Sequence, residues 1–562
     1  MSRATRIEHY LTDLRTRQDR ARSGRQAGGI RPRTGERTVP GHVHHWATVA
    51  PDRTALVFEG RETTYRELDE AADRLAGWLA ARGVGNGDRV GVHLPNCPQF
   101  LIAMLAVLRL GAVHVPVNPM FKAAELRHEL ADSGACLVVS RTELAAAVEE
   151  IRADTPVREV LLADTDDWHD ALAHAPHGSI ADDPDALAAL NYTGGTTGMP
   201  KGCEHTQRHM VYTATAIDSG RALEPAPEGI VSLCYLPIFW IAGENLGILA
   251  PLVSGGTSVL LARWDPAAVL DGLERYRVAT MAGTVENYLE LLDRPDLASR
   301  DLSAFTAPLT VSFIRKLTPE VRDRWRRAVG GHSVLREASY GMTETHTSDT
   351  STLGFQDGDR DLLGEPTFCG LPVPGTDIMV VDFATGEPLP LGERGEIVVR
   401  GPSVLTRYWR APEATAAALR WGSPRSNEVE TGGGWLHTGD IGSIDEEGCL
   451  VYLGRDKDMI KVNGMSVFPT EVETLLGRHP DVLAAAVVAV PDERRGQRPY
   501  AYVRTVPGST LTAEVLGEWA GASMAAYKLP AIELTDDLPL TATGKIRKTE
   551  LAARARRTRP AP

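Results

Sequence analysis

Between Asn191 and Gly202 the chain reads NYTGGTTGMPKG, four glycines set among hydroxyl and amide side chains with one lysine near the end. Backbone amides of such a turn can converge on an anion because no side chain blocks the approach. Thr193, Thr196 and Thr197 add hydroxyl donors around Gly194, Gly195 and Gly198, and Lys201 adds the charge. The chemistry this suits is phosphate binding. The Walker spacing, in which lysine directly follows the last glycine, is not met, since Met199 and Pro200 intervene. On its own the loop also reads as a flexible turn.

Four further segments follow in order: YGMTET at Tyr340–Thr345, GWLHTGD at Gly434–Asp440, GRDKDMIKVNGMSVFPTEVE at Gly454–Glu473, and LPLTATGKIRK at Leu538–Lys548. With the glycine loop they resemble the motifs of the adenylate-forming superfamily of acyl-CoA synthetases, luciferases and peptide-synthetase adenylation domains. The resemblance spans about Val43 to Leu551. It implies an enzyme that joins a carboxylic acid to the α-phosphate of ATP and passes the acyl group to an acceptor, releasing AMP and pyrophosphate. Negative charges meet in the first step, so fixed cations and donors must face the developing charge.

The resemblance assigns roles residue by residue. Thr193 to Gly198 and Lys201 hold phosphates; Thr343 donates to a phosphate oxygen, Glu344 binds Mg²⁺, and Tyr340, with Gly341, lies against the adenine. Asp440 accepts the ribose hydroxyls with Arg455 assisting. Lys545 reaches the carboxylate and α-phosphate oxygens together. Lys457 occupies a hinge position, and Lys461 and Gly464 belong to the strand presented in the second step, where CoA enters.

Three positions depart from the family pattern. Gly194 stands where serine is usual, which keeps the backbone amide and loses a hydroxyl. Trp240, in LPIFWIAG, replaces a frequent histidine and can wall the acyl pocket or gate the thiol channel, with core packing as the alternative. TVSFIRKL at Thr310–Leu317 stands where relatives carry a GGAP-like adenine shelf. The acid pocket is expected from Phe239–Asn245, Ala282–Tyr288 and the residues after Gly341. Its candidates are Trp240, Glu244, Asn245 and His346, and their polarity suggests a small or aromatic acid over a long straight chain.

An ATP-dependent acid–CoA ligase, with ATP, Mg²⁺ and CoA, is the leading expectation. It is favoured by the intact second-step segment and the absence of an appended carrier domain. The rival is an adenylating enzyme with another acceptor: a carrier protein, an amine, or nitrite activated to diazotise an aromatic amine. A catalytically dead protein of the same fold is disfavoured by retention of Lys545, Glu344 and Asp440.

The elements that must position these residues are legible as well. From Thr64 to Ser140, amphipathic or apolar helices such as YRELDEAADRLAGWLAAR and PQFLIAMLAVLRLGA alternate with short apolar strands such as DRVGVHL, VHVPV and CLVVS. That alternation predicts an α/β fold with a largely parallel sheet. Beyond Gly370, strands bounded by Gly and Pro indicate a β subdomain, and past Arg455 a compact α+β pattern restarts. The expected organisation is an Arg-rich arm over 1–40, a large adenylate-forming domain over 41–454, and a small mobile lid domain over 455–562.

A net charge of −14 argues against a nucleic-acid partner, and no apolar run is long enough for a membrane span. The first forty residues carry ten arginines against four acids. With no signal-like apolar core, they read as a solvated or subunit-packing arm, which allows a homodimer, and RTGERTVP reads as mobile. Six scattered cysteines without CxxC pairs fit reduced thiols of a cytoplasmic protein. Cys203, with only His205 as a base nearby in sequence, is a weak candidate nucleophile.

Overall fold

The computed structural model describes residues 3–26, 28–30, 32–193, 199–220, 228–312, 315–364, 366–420, 434–463, 465–492, 494–541 and 544–558. Among these residues the strands form four sheets. The first orders strands Glu159–Leu162, Leu137–Ser140, Arg89–Val92, Val113–Pro116, Leu187–Thr193 and Lys201–Thr206 side by side. All its pairs are parallel except the last. The second runs from Arg336–Glu337 through Leu309–Val311, Thr280–Thr284, Val231–Cys234, Thr257–Leu260 and Thr54–Phe58 to Arg61–Thr64, again parallel except at its final edge.

The expected helix–strand alternation forms because local signals agree. Helix Tyr65–Ala81 starts at a capping box in which the Thr64 hydroxyl accepts from the Glu67 amide and the Glu67 carboxylate accepts from the Thr64 amide. Its stripe Leu68, Leu75 and Leu79 is fully buried. Helix Pro98–Arg109 is apolar nearly all round and has Phe100, Leu101, Met104 and Leu108 without accessible surface, as a helix covered on every side must. One apolar cluster joins these helices to Val90 and Val92 of the first sheet and to Leu56 and Leu260 of the second.

A third, antiparallel sheet holds Thr367–Pro372, Leu450–Arg455, Trp435–Ile444, Gly395–Arg400 and Asp377–Val381. The fourth, in the C-terminal region, pairs Val482–Asp492 with Gly496–Thr505, and Lys548–Thr558 follows as a helix. The chain is thus an α/β protein with a large N-terminal domain and a smaller C-terminal one.

The N-terminal arm differs from its reading as a solvated or subunit-packing segment. Arg3–Arg22 is a helix, and Ile7 and Leu11 pack on Met379, Val381, Val398 and Trp435 of the third sheet. Arg15 forks onto Asp377 at 2.8 and 2.7 Å, Arg22 donates to the Pro372 carbonyl at 2.7 Å, and Gln26 donates to the carbonyls of Ser351 and Leu353. Within RTGERTVP, Arg33 pairs with the buried Asp218 at 2.6 Å. Arg3, Arg6, Arg15, Arg25, Arg33 and Arg37 pair with acids elsewhere in the chain, and the helix hides an apolar stripe of its own chain. Leu11→Ala should cost about 2–5 kcal/mol at this contact. The expected result is faster tryptic trimming of the first 25 residues than in the unmodified protein; an unchanged rate would contradict this packing.

Candidate active site

The glycine loop is strung between paired strands, with Thr193 at the end of one opposite Lys201 at the start of the next. Gly194, Gly195, Thr196, Thr197 and Gly198 lie outside the described residues, as does Gly464. The Lys201 ammonium sits 5.2 Å from the centre of the Tyr408 ring, and the Tyr408 hydroxyl donates to Glu344 Oε1 at 2.9 Å. Lysine, tyrosine and carboxylate are therefore neighbours. Tyr408 was not singled out in the sequence, because its contact with Glu344 spans 64 positions.

Thr343–Thr345 forms a single 3₁₀ turn, entered through Gly341. A Cβ added to Gly341 would lie 1.4 Å from the Thr347 carbonyl oxygen, so only glycine fits this close approach. Beneath the turn, the Thr345 hydroxyl donates to Asp349 at 2.5 Å, and His205 Nε2 donates to the Thr343 carbonyl at 2.8 Å. That bond sets the His205 tautomer. Cys203 is completely buried and its thiol is pushed well above its ordinary pKa by burial, with Glu344 adding to the effect. It is inert as a nucleophile.

Tyr340, Asp440, Arg455 and Lys545 come together. The Tyr340 hydroxyl donates to Asp440 Oδ2 at 2.7 Å, which adds a polar bond to a residue expected only to lie against adenine. Asp440 and Arg455 face each other on neighbouring strands, with Arg455 Nε 3.2 Å from Asp440 Oδ1. Burial raises the Asp440 pKa and Arg455 opposes the rise. Lys545 sits in a short turn: its amide donates to the Thr541 hydroxyl at 3.0 Å and its carbonyl accepts from the Thr541 amide at 2.7 Å. Its residue keeps solvent-accessible surface, yet protein crowds the ammonium enough to lower its pKa, with Arg455 adding to and Asp440 opposing that shift.

Lys457 lies in the 3₁₀ turn Asp456–Asp458, between the strand bearing Arg455 and the hairpin Ile460–Val467, and burial lowers its pKa. Lys461 points elsewhere: its ammonium donates to Ser466 Oγ at 2.8 Å within that hairpin.

The four pocket candidates separate. Trp240 stands at the start of helix Ile241–Glu244 and keeps partial exposure. Glu244, Asn245 and His346 have no accessible surface. Asn245 Nδ2 donates to the His346 carbonyl at 3.2 Å, and the Glu244 carboxylate is 3.7 Å from His114 Nε2. The helix continues as a π-turn over Asn245–Leu249, a form often found beside functional sites. A small cavity lined by Ser232, Cys234, Leu236, Leu246, Ala282 and Leu309 measures about 10 Å³, room for about one water. In the TVSFIRKL segment, Ser312 donates its amide (3.1 Å) and hydroxyl (2.6 Å) to Glu337.

The single carboxylate at Glu344 suits a hard ion that takes most of its ligands from substrate phosphates and water, as Mg²⁺ does. Among the described residues no cluster of three or more His, Cys, Asp or Glu forms a metal cage.

The AMP-binding enzyme family matches residues 43–409, and its C-terminal domain matches 471–545. The chain belongs to the AMP-binding enzyme family. A feruloyl-CoA synthase of Amycolatopsis sp is 35% identical over 512 residues, covering 90% of this chain and 97% of that one. ATP-bound MatB from Rhodopseudomonas palustris superposes with a TM-score of 0.80 at 29% identity, covering 92% of this chain and 99% of that chain. The anthranilate CoA ligase AuaEII with anthranoyl-AMP gives 0.79 at 25% identity, covering 92% and 97%. The adenylate-forming resemblance is thus met, and the chain is an AMP-forming acid–CoA ligase that uses ATP, Mg²⁺ and CoA. No helix among the described residues is long and apolar enough to cross a membrane.

Burial also sets the pH response of the fold. Asp349 and Glu129 have carboxyl groups raised to about 8 and Glu337 to about 7, burial being the main cause in each. The folded state holds these protons while the unfolded chain releases them near pH 4, so this stability is complete below about pH 4 and lost as pH rises through about 7–8. Buried His42, His93 and His209, lowered to about 4, His346, lowered to about 3, and His205, lowered well below its ordinary value, act oppositely and outnumber the raised carboxyls: their contribution is lost as pH falls below about 6.5. The unfolding midpoint should therefore peak near about pH 6–6.5 and decline toward about 8.5, at about 1.4 kcal/mol per pH unit for each net proton. A midpoint that climbs through this range would contradict the assignment.

Proposed function

We propose that the protein activates a compact, aromatic or polar-substituted carboxylic acid and delivers it to CoA. The observation that carries the reading is the convergence of Lys545 with the Tyr340–Asp440–Arg455 cluster. The names of the aromatic-acid ligases among its relatives support the substrate class.

In this reading Asp440 accepts both ribose hydroxyls, held in place by Arg455 and the Tyr340 hydroxyl, and the Tyr340 and Gly341 backbone flanks the adenine. Thr193, the loop Gly194–Gly198 and Lys201 bind the outer phosphates, and Thr343 donates to a phosphate oxygen. Glu344 would hold Mg²⁺, which would offset the charge of the phosphates. Lys545 bridges a carboxylate oxygen and an α-phosphate oxygen and offsets the repulsion between them. The carboxylate oxygen forms a bond to the α-phosphorus as the bond to the pyrophosphate oxygen breaks. The CoA sulfur, having lost its proton, then bonds to the acyl carbon, and AMP leaves with the shared oxygen. Lys457 is the hinge about which the small domain exchanges Lys545 for the hairpin carrying Lys461 and Gly464. Trp240, the one pocket candidate with accessible surface, walls the acid.

The test is a panel of aliphatic, aromatic and amino-aromatic acids, each incubated with ATP, Mg²⁺ and either CoA, nitrite with an arylamine, or neither, with products identified by mass spectrometry. A CoA thioester of an aromatic or short polar acid is expected. Preference for long-chain acids would overturn the substrate class, and turnover that ignores CoA but needs nitrite would overturn the acceptor.

A further inference from the structure

Lys545 belongs to the small domain and Asp440 to the large one, so their approach depends on what holds the domains in this orientation. One ammonium spans the gap. Lys316 precedes helix Pro319–Val329 of the large domain and donates to the Pro366 carbonyl at 2.8 Å and to Thr474 Oγ1 at 2.6 Å. Thr474 lies on helix Pro469–Leu476 of the small domain and donates onward to the Thr470 carbonyl at 2.7 Å. Lys316 thus ties two separate large-domain segments to one small-domain helix.

Both ends of this tie are braced. Ser312 Oγ accepts from the Leu317 amide at 3.1 Å while donating to Glu337, which fixes the turn carrying Lys316. On the other side, Glu473 Oε1, one residue before Thr474, accepts from Lys548 Nζ and from the Val487 amide, each at 2.7 Å. Lys548 is three residues beyond Lys545 and opens the terminal helix. Glu337 and Glu473 also favour the charged form of Lys316, against a burial of its ammonium that lowers its pKa even though the residue keeps accessible surface. Hydrogen bonds and ion pairs, joined through the backbone at Lys316–Leu317 and Glu473–Thr474, therefore connect the large-domain turn to the start of the helix behind the Lys545 turn.

We propose that Lys316 is a positioning residue that latches the small domain through Thr474 in the orientation presenting Lys545 to Asp440 and Arg455. The latch serves the first half-reaction of the function above and has no role once the adenylate has formed. Its kinetic signature is a split between the two halves.

The full chain carrying Lys316→Met, Lys316→Arg, Thr474→Val, or Lys316→Met with Thr474→Val tests this. ATP–pyrophosphate exchange reads the first half, and thioester formation from supplied acyl-adenylate and CoA reads the second. Lys316→Met should lower exchange about tenfold or more, the scale of a hydrogen bond to a charged group, and leave thioester formation equal or faster. Thr474→Val should act in the same direction, the double variant should be no worse than Lys316→Met alone, and Lys316→Arg should recover part of the loss. Equal losses in both halves, unchanged exchange, or additive effects in the double variant would overturn the latch. An activity-free readout is tryptic cleavage at Arg455 and Lys457 in the unliganded protein, expected to be several-fold faster in Lys316→Met and Thr474→Val; equal rates would also overturn it. Because exchange and cleavage do not depend on the acceptor, failure of the CoA reading is distinguishable from failure of the latch.

Discussion

Lys545→Ala should lower ATP–pyrophosphate exchange by about 10²–10³-fold, the cost typical of removing one donor aimed at developing charge. The ammonium stands in a crowded cleft beside Arg455 and Asp440. Two anions must be brought together there, and no neutral side chain offsets their repulsion. Thioester formation from supplied acyl-adenylate should stay within a few-fold of the unmodified rate, because the acyl–phosphate bond is already made. Loss of both half-reactions to the same degree would place Lys545 in the fold and not in the first chemical step. The expected contrast with Lys316→Met is one of size: both act on adenylation, but only Lys545 touches the reacting atoms.

Asp440→Ala should raise the KM for ATP by about 10–100-fold, the range for a hydrogen bond to a charged group. Removing the carboxylate also strips the Tyr340 hydroxyl and Arg455 of their shared acceptor, so the site loses its geometry along with its charge. Because burial raises the Asp440 pKa, binding of ATP should weaken on acidification earlier than an ordinary aspartate would dictate. ATP titrations of the exchange reaction measure both effects. A KM within twofold of the unmodified value would contradict the role given to Asp440.

Much of this site was legible before any coordinates. The capping box at Thr64 and the stripe Leu68, Leu75, Leu79 encode a helix through local rules, and the helix forms as read. The Tyr340, Asp440 and Lys545 segments lie far apart in the chain, yet each was recognisable because it resembles a motif of the adenylate-forming superfamily. What escaped was pairwise and long-range. Tyr408 on Glu344, Glu337 on Ser312 and Thr474 on Lys316 are single side-chain contacts without a local signature. Gly341 reads as an ordinary turn glycine until the Thr347 carbonyl is seen against it. The arm was misread because arginines dominate its composition, although Ile7, Leu11 and Leu14 already recur at helical spacing. Glu244, Asn245 and His346 were placed in the pocket from the segments that carry them, and burial of all three without accessible surface is a tertiary outcome with no local signature.

The central claim is that a carboxylate oxygen bonds directly to the α-phosphorus of ATP in the cleft containing Lys545. An acid from the turnover panel, labelled with ¹⁸O in its carboxylate and incubated with ATP, Mg²⁺ and CoA, tests it most directly. One labelled oxygen should appear in AMP and none in pyrophosphate, alongside the CoA thioester. Unlabelled AMP, or ADP and phosphate in its place, would contradict the account.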